Sequence, residues 1–529
     1  MQSKTDFKKN LPCFLPRVPF AAAVLLSYFL AGCMGEMHST YDVGNSNGYY
    51  GADGGMGGNI GFGGEQDFAY FRSLLDQGIV PESDILQASG FFAEHHTETP
   101  PPDCGRTLCL HAMLGVDNDM LGGDPRTILQ IALNTPVELN PDERPDLDLS
   151  LSIDVSGSMA AENRLGYVRT GLLLMLDELF DDDRMAIITY SSDAQVVLPM
   201  TRVGDARDVI EEQIESLQPT GMTALYAGLE LAYQEALEHK DPEREVRVVM
   251  LSDGEANVGP SSNEEIMNMS KGYNNKGIGL TTIGLGNYFN VDLMRGLAEQ
   301  GDGNYYYVGS SADVQDVFTV EVHSFTVPVA RDVLIEVEEG TRYIFDQAWG
   351  SPHWEDCANG GTLELPSVFA AWRKAHDDTT ETGGRRGGGS ALLLQLKPRA
   401  DIPETLTEAE VARVTLSYED VELGEYINET VEIGYPYHPA HLVEEGYFSG
   451  HGQNVIMKSF AMLHAFLALK EGCRLFHEGK GLESIELLKL VVGPLSEMEF
   501  RLNEGEGDED IQRDIELIEQ LAEVIELNL

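Results

Sequence analysis

From Leu147 onward the chain alternates short apolar runs with amphipathic stretches, and no other feature limits its fold as strongly. LDLSLSID, residues 147–154, is an apolar run that ends in a carboxylate. Over 164–180, Leu165, Val168, Leu172, Leu176 and Leu179 recur at helical spacing. MAIITY (185–190) and QVVLPM (195–200) read as strands, and 205–217 and 223–238 as helices. VRVVMLSD (246–253), a helix near 263–276, GLTTIGLG (279–286), a helix near 291–300 and NYYYVG (304–309) continue the pattern. Parallel strands need a long crossover, usually a helix, and the resulting sheet is covered on both faces. The expected class is α/β, with a doubly wound, mostly parallel sheet. Ligands of such sheets sit beyond the carboxyl ends of the strands.

Those strand ends carry matched oxygen donors. Asp154, Ser156 and Ser158 form a D-x-S-x-S pattern, Thr223 lies in PTGMTAL, and Asp253 lies in LSDGEANVG. Each stands at a strand-to-helix junction or a helix start. One of these motifs alone is explained by helix capping. All three in order, at ends that one sheet edge brings together, point to a hard cation, which prefers oxygen ligands. Gly157 is expected to let the backbone turn tightly around the ion.

The set resembles the metal-ion-dependent adhesion site of von Willebrand factor type A domains, over about 147–323, with no departure at a metal-site position. The resemblance implies direct ligation by Ser156, Ser158 and Thr223, with Asp154 and Asp253 acting partly through water. The metal would be Mg²⁺, or Mn²⁺ or Ca²⁺, and a protein ligand's Asp or Glu would complete its shell. The wider layout resembles the YfbK-type von Willebrand A lipoproteins of bacteria. FRSLLDQGIVPESDILQASGFF looks like their N-terminal conserved segment, and GGRRGGGSALLLQL like the start of their C-terminal region of unknown function.

The chain has 529 residues, more than one core usually holds, so several domains are expected. It carries 35 basic against 88 acidic side chains, a net charge of −53. Such a surface repels phosphate backbones and argues against nucleic acid as a partner. At the N-terminus, Lys4, Lys8, Lys9 and Arg17 precede the apolar stretch 18–30, too short for a comfortable membrane span. Leu30-Ala31-Gly32-Cys33 resembles the bacterial lipobox. Residues 1–32 are therefore expected to be a signal peptide and Cys33 the lipidated residue, anchoring the protein in the cell envelope, at the outer membrane since no Asp follows Cys33. An ordinary secretory signal is the alternative. The Gly-rich stretch 33–64 reads as a tether.

The remaining flanks divide into an N-terminal, mainly helical segment (65–146) with a strand-like run over 127–140, a β-rich, sandwich-like region (324–440) and C-terminal helices (441–529). Cys104 and Cys109 suit a local disulfide better than a zinc site. Cys357 and Cys473 are left paired or free. His95 and His96 read as surface residues beside prolines, and the tryptophans as packing residues. No nucleophile elbow or phosphate-binding loop is present, so no enzyme is expected. Two functional classes follow: an interaction module that binds a protein through the metal, or a structural envelope component whose metal stabilises the fold or an assembly.

Overall fold

The computed structural model describes residues 68–529, with interruptions at 98, 138–143, 255, 287–288, 302, 310–312, 315–316, 319–327, 352, 370–390, 404, 407, 422 and 440–443, together with 58–59 and 64–65. The lipobox, most of the tether, the GGRRGGG stretch and Trp372 lie outside these residues.

The alternating region forms a seven-stranded sheet. Its order is Gly64–Glu65, Asn304–Val308, Gly279–Leu285, Glu245–Ser252, Leu147–Asp154, Arg184–Tyr190 and Ala194–Arg202. All pairs are parallel except the last. On the central strand Leu147, Leu149, Leu151 and Ile153 face the helices Arg164–Asp177 and Val203–Ser216. The intervening positions face the other way, toward the helix Leu225–Glu238. There Ser150 is small enough for close approach, and its hydroxyl donates to the Ala232 carbonyl at 2.9 Å. The helices Asn263–Asn274 and Val291–Gln300 cover the same face.

The flanks are not arranged in series. Cys109–Asp117 and Arg126–Thr135, from before the alternating region, pair with each other. Arg126–Thr135 also pairs with Leu392–Pro398, from after it, and that strand pairs with Tyr343–Trp349. A second antiparallel sheet, ordered Trp354–Cys357, Gly360–Phe369, Pro328–Glu339, Ala409–Asp420 and Tyr426–Tyr435, packs on the first. The sandwich expected over 324–440 therefore takes two inner strands from the N-terminal segment, one of them on the strand-like run over 127–140, and the α/β unit is inserted into it. The cause lies in the pleat. Leu129, Ile131 and Leu133 point into the sandwich, while Ile128 and Ala132 point to a helical layer. A strand buried on both faces shows no alternation of apolar and polar residues.

That layer contains the helices Gln453–His477, Gly481–Arg501 and Glu509–Leu527, joined by Ala69–Asp76 and Ala88–Ala93. None of the helices among the described residues is long and apolar enough to cross a membrane. His95 is fully buried here, against the expectation of a surface residue. Its Nδ1 meets the Phe91 carbonyl at 2.9 Å and its Nε2 meets Asp514 at 2.7 Å. Next to a carbonyl and an ionised carboxylate, both nitrogens have acceptors to donate to, which favours the imidazolium form. Burial alone pushes its pKa down, but the Asp514 carboxylate outweighs that and the net shift is upward.

Candidate metal centre

The carboxyl edge of the parallel sheet brings all five sequence-identified residues together. Asp154 ends its strand fully buried. Its Oδ1 accepts the Ser156 N–H at 2.8 Å, and its Oδ2 accepts the Ser252 hydroxyl at 3.1 Å. Ser156 precedes the 3₁₀ turn Gly157–Asn163, but its hydroxyl makes no cap bond to it. That hydroxyl stands 2.9 Å from the Ser158 hydroxyl, which donates to Asp253 Oδ1 at 2.7 Å. Since Ser158 donates its proton to Asp253, it accepts from Ser156. Simple helix capping does not account for this chain of oxygens.

Thr223 is held from the opposite loop. Its N–H donates to Asn257 Oδ1 at 2.8 Å, and its carbonyl accepts the Asn257 N–H at 3.0 Å. Its side-chain oxygen and that of Ser158 both lie beside Gly254. A Cβ placed on Gly254 would lie 3.9 Å from Thr223 Oγ1 and 4.0 Å from Ser158 Oγ. Backbone bonds tie the loops together: Gly157 N–H to the Gly221 carbonyl at 3.2 Å, and Thr220 N–H to the Val155 carbonyl at 2.6 Å. The tight turn falls at Gly221 rather than at Gly157. Gly221 has φ +75°, and a Cβ there would come within 2.8 Å of Ser192 Oγ. At Gly157 an added Cβ would meet only the Gly221 carbonyl, at 3.4 Å.

Electrostatically, the centre is short of positive charge. Burial pushes the Asp154 carboxyl up to about 6, with the bonds from Ser156 opposing the shift and the Asp253 carboxylate adding to it. Asp253 Oδ2 accepts from Arg164 Nη1 at 2.9 Å. The sequence reading missed Arg164, Ser252 and Asn257. Asn257 stands four residues beyond Asp253 in the same loop, and that position was its only signal. Among the described residues no cluster of three or more His, Cys, Asp and Glu has metal-holding geometry. The donor set is instead hydroxyl-rich. Three neutral oxygens with two buried carboxylates behind them fit a hard dication that retains net positive charge.

Cys104 and Cys109 are bridged, with their Cα atoms 5.7 Å apart, just before the strand Cys109–Asp117. Cys473 is a free, buried thiol within the helical layer. Trp349 is buried against that layer, and Trp354 packs on Phe345. Cys33 lies outside the described residues.

Residues 148–320 match the model of the von Willebrand factor type A domain. With the parallel sheet and the strand-end oxygens, this segment is a von Willebrand factor type A domain, a class that commonly binds a divalent metal and mediates protein interaction. The chain is 34% identical to the uncharacterized protein YfbK of Escherichia coli over 287 residues, 53% of this chain and 48% of that one. It is 27% identical over 208 residues to the uncharacterized protein sll0103 of Synechocystis, 39% of this chain and 48% of that one. It thus spans about half the length of these two curated relatives. A von Willebrand factor type A structure from Catenulispora acidiphila aligns with 76% of this chain and 88% of its own, at 15% identity and a TM-score of 0.49.

Proposed function

We propose that the protein is a binding module of the bacterial cell envelope. Through a divalent cation, Mg²⁺ or else Mn²⁺ or Ca²⁺, it captures an Asp or Glu carboxylate of a protein ligand. Ser156, Ser158 and Thr223 hold the ion directly, and Asp154 and Asp253 orient that shell, partly through water. The reading is a binding module, not an enzyme, anchored by lipid at Cys33. The observation that carries it is the convergence of three hydroxyls and two buried carboxylates on one sheet edge, with the Ser156 hydroxyl making no cap bond to the turn it precedes. A bound dication supplies a positive centre to which an anionic group from outside can attach.

The test is capture of envelope proteins by the full chain, extracted from membranes in detergent. Recovered partners are expected to be lost with chelator, restored by Mg²⁺, and absent with Thr223→Ala. Cys33→Ser is expected to leave the membrane fraction. Capture indifferent to chelator and to Thr223→Ala would overturn the metal-dependent reading. Membrane retention of Cys33→Ser would overturn the anchor.

A further inference from the structure

Arg164 opens the helix Arg164–Asp177 and lies against the oxygen cluster. Its Nη1 donates to Asp253 Oδ2 and its Nη2 to Glu162 Oε2, both at 2.9 Å. The Arg164 side chain is 7% exposed, Asp253 is fully buried and Glu162 is 70% exposed. The bond to Asp253 is therefore the one shielded from solvent, where a charge pair is strongest.

The local backbone is built around this arginine. Glu162 and Asn163, immediately before it, are both left-handed, at φ 51° and 59°. Such conformations are unfavourable for residues that carry a side chain, least so for Asn. Across the sheet edge, Gly286 has φ +68°, and a Cβ there would fall 2.6 Å from Arg164 Nε and 2.7 Å from Cζ. The guanidinium thus fills a slot that only glycine leaves open. Its Nε is buried with no acceptor among the described residues. Two left-handed residues and a glycine slot thus place one guanidinium on Asp253.

We infer that Arg164 is a positioning residue that sets the charge of the metal centre, turning Asp253 away from the ion so that the bound cation keeps positive charge for an anionic partner. The inference rests on the reading of this cluster as a divalent-metal site. Asp253 offers Oδ1 to Ser158 and Oδ2 to Arg164, so each oxygen already accepts one bond and close approach to an ion competes with it. Among the buried groups, with the solvent-exposed Glu162 left aside, Asp154 and Asp253 against Arg164 leave one net negative charge facing a dication. Without the guanidinium, two negative charges would face it, and Asp253 Oδ2 would be released toward the ion. The metal would then bind more tightly, and an external carboxylate less tightly.

The two affinities moving in opposite directions are what a merely structural residue would not produce. Mn²⁺ alone is titrated into the full chain by calorimetry. Acetate is then added to the Mn²⁺-loaded protein, and water-proton relaxation reports its displacement of metal-bound water. For Arg164→Gln, Mn²⁺ is expected to bind about tenfold tighter and acetate several-fold weaker. Arg164→Lys, which keeps the charge, is expected to stay near wild type. Should Arg164→Gln fail to fold, Gly286→Ala, which displaces the guanidinium, is read by the same two affinities and is expected to move them in the same directions. Unchanged affinities in the folded variant, or a fall in both, would overturn the role of Arg164. No Mn²⁺ uptake by folded wild type would instead overturn the metal site itself.

Discussion

The central strand Leu147–Asp154 carries an aspartate on the same face at each end, and the two meet opposite surroundings. Asp148, at the amino end, is fully buried and takes Arg184 Nε and Arg244 Nε, each at 2.7 Å. Beside it, Asp183 takes both terminal nitrogens of Arg144, at 2.9 and 2.5 Å, and the backbone N–H groups of Leu147 and Phe180. Arg244 reaches on to Asp146 at 2.7 Å. Three arginines thus answer three aspartates. Asp154, at the carboxyl end, is equally buried, yet a backbone N–H and a serine hydroxyl meet its carboxylate. Arg164 answers Asp253 and the exposed Glu162, not Asp154. Burial alone does not separate a structural carboxylate from a functional one. In the reading proposed above, the difference is whether the fold supplies the counter-charge or leaves it to an ion.

The largest expected effect lies at the amino end. Asp183→Ala would strand the Arg144 guanidinium, 3% exposed, and two backbone donors. Breaking a buried pair from one side costs about 3–5 kcal/mol. Denaturant unfolding is expected to show that loss, with no change in the metal affinity of the folded fraction. A loss below about 1 kcal/mol would mean the amino-end network is not structural, and the contrast between the two ends would fail.

Much of this was legible in the sequence. LDLSLSID announces both aspartates, and the strand–helix alternation fixes which end of the sheet each occupies. The D-x-S-x-S pattern, Thr223 and Asp253 are readable because parallel topology forces their strand ends to one edge. Arg164 was not legible: an arginine at a helix start ordinarily faces solvent, and only the left-handed pair before it and Gly286, far along the chain, turn it inward. The shared sandwich was hidden for another reason. CLHAMLGVD and RTILQIALNT are mostly buried on both faces, so their patterns do not name a partner; they pair with each other, and the strands on their outer sides, Leu392–Pro398 and Tyr447–Phe448, lie beyond the inserted domain. His95 was misread because its neighbours suggested a surface loop, while its partner Asp514 is 419 residues away.

A smaller effect is expected in the helical layer, where a buried cation is likewise answered by the protein. The pKa of His95 is raised above its ordinary value of 6.5 by Asp514. A raised folded-state pKa means that the contribution to stability is fully present below pH 6.5 and is lost as pH rises through the folded value. Urea unfolding of wild type is therefore expected to weaken over that window, and His95→Gln to flatten the dependence. A pH dependence that persists unchanged in His95→Gln would assign it to other groups.

The most direct measurement is a calorimetric Mg²⁺ and Mn²⁺ titration of the full chain, run beside Asp154→Asn, with thermal unfolding of both proteins in chelator. The expected result is uptake of one ion per wild-type chain and none by the variant. Without metal, the variant is expected to be no less stable than wild type, because the buried Asp154 carboxylate has no cationic partner to lose among the described residues. Folded wild type that takes up no ion, or Asp154→Asn that takes it up equally well, would contradict the account.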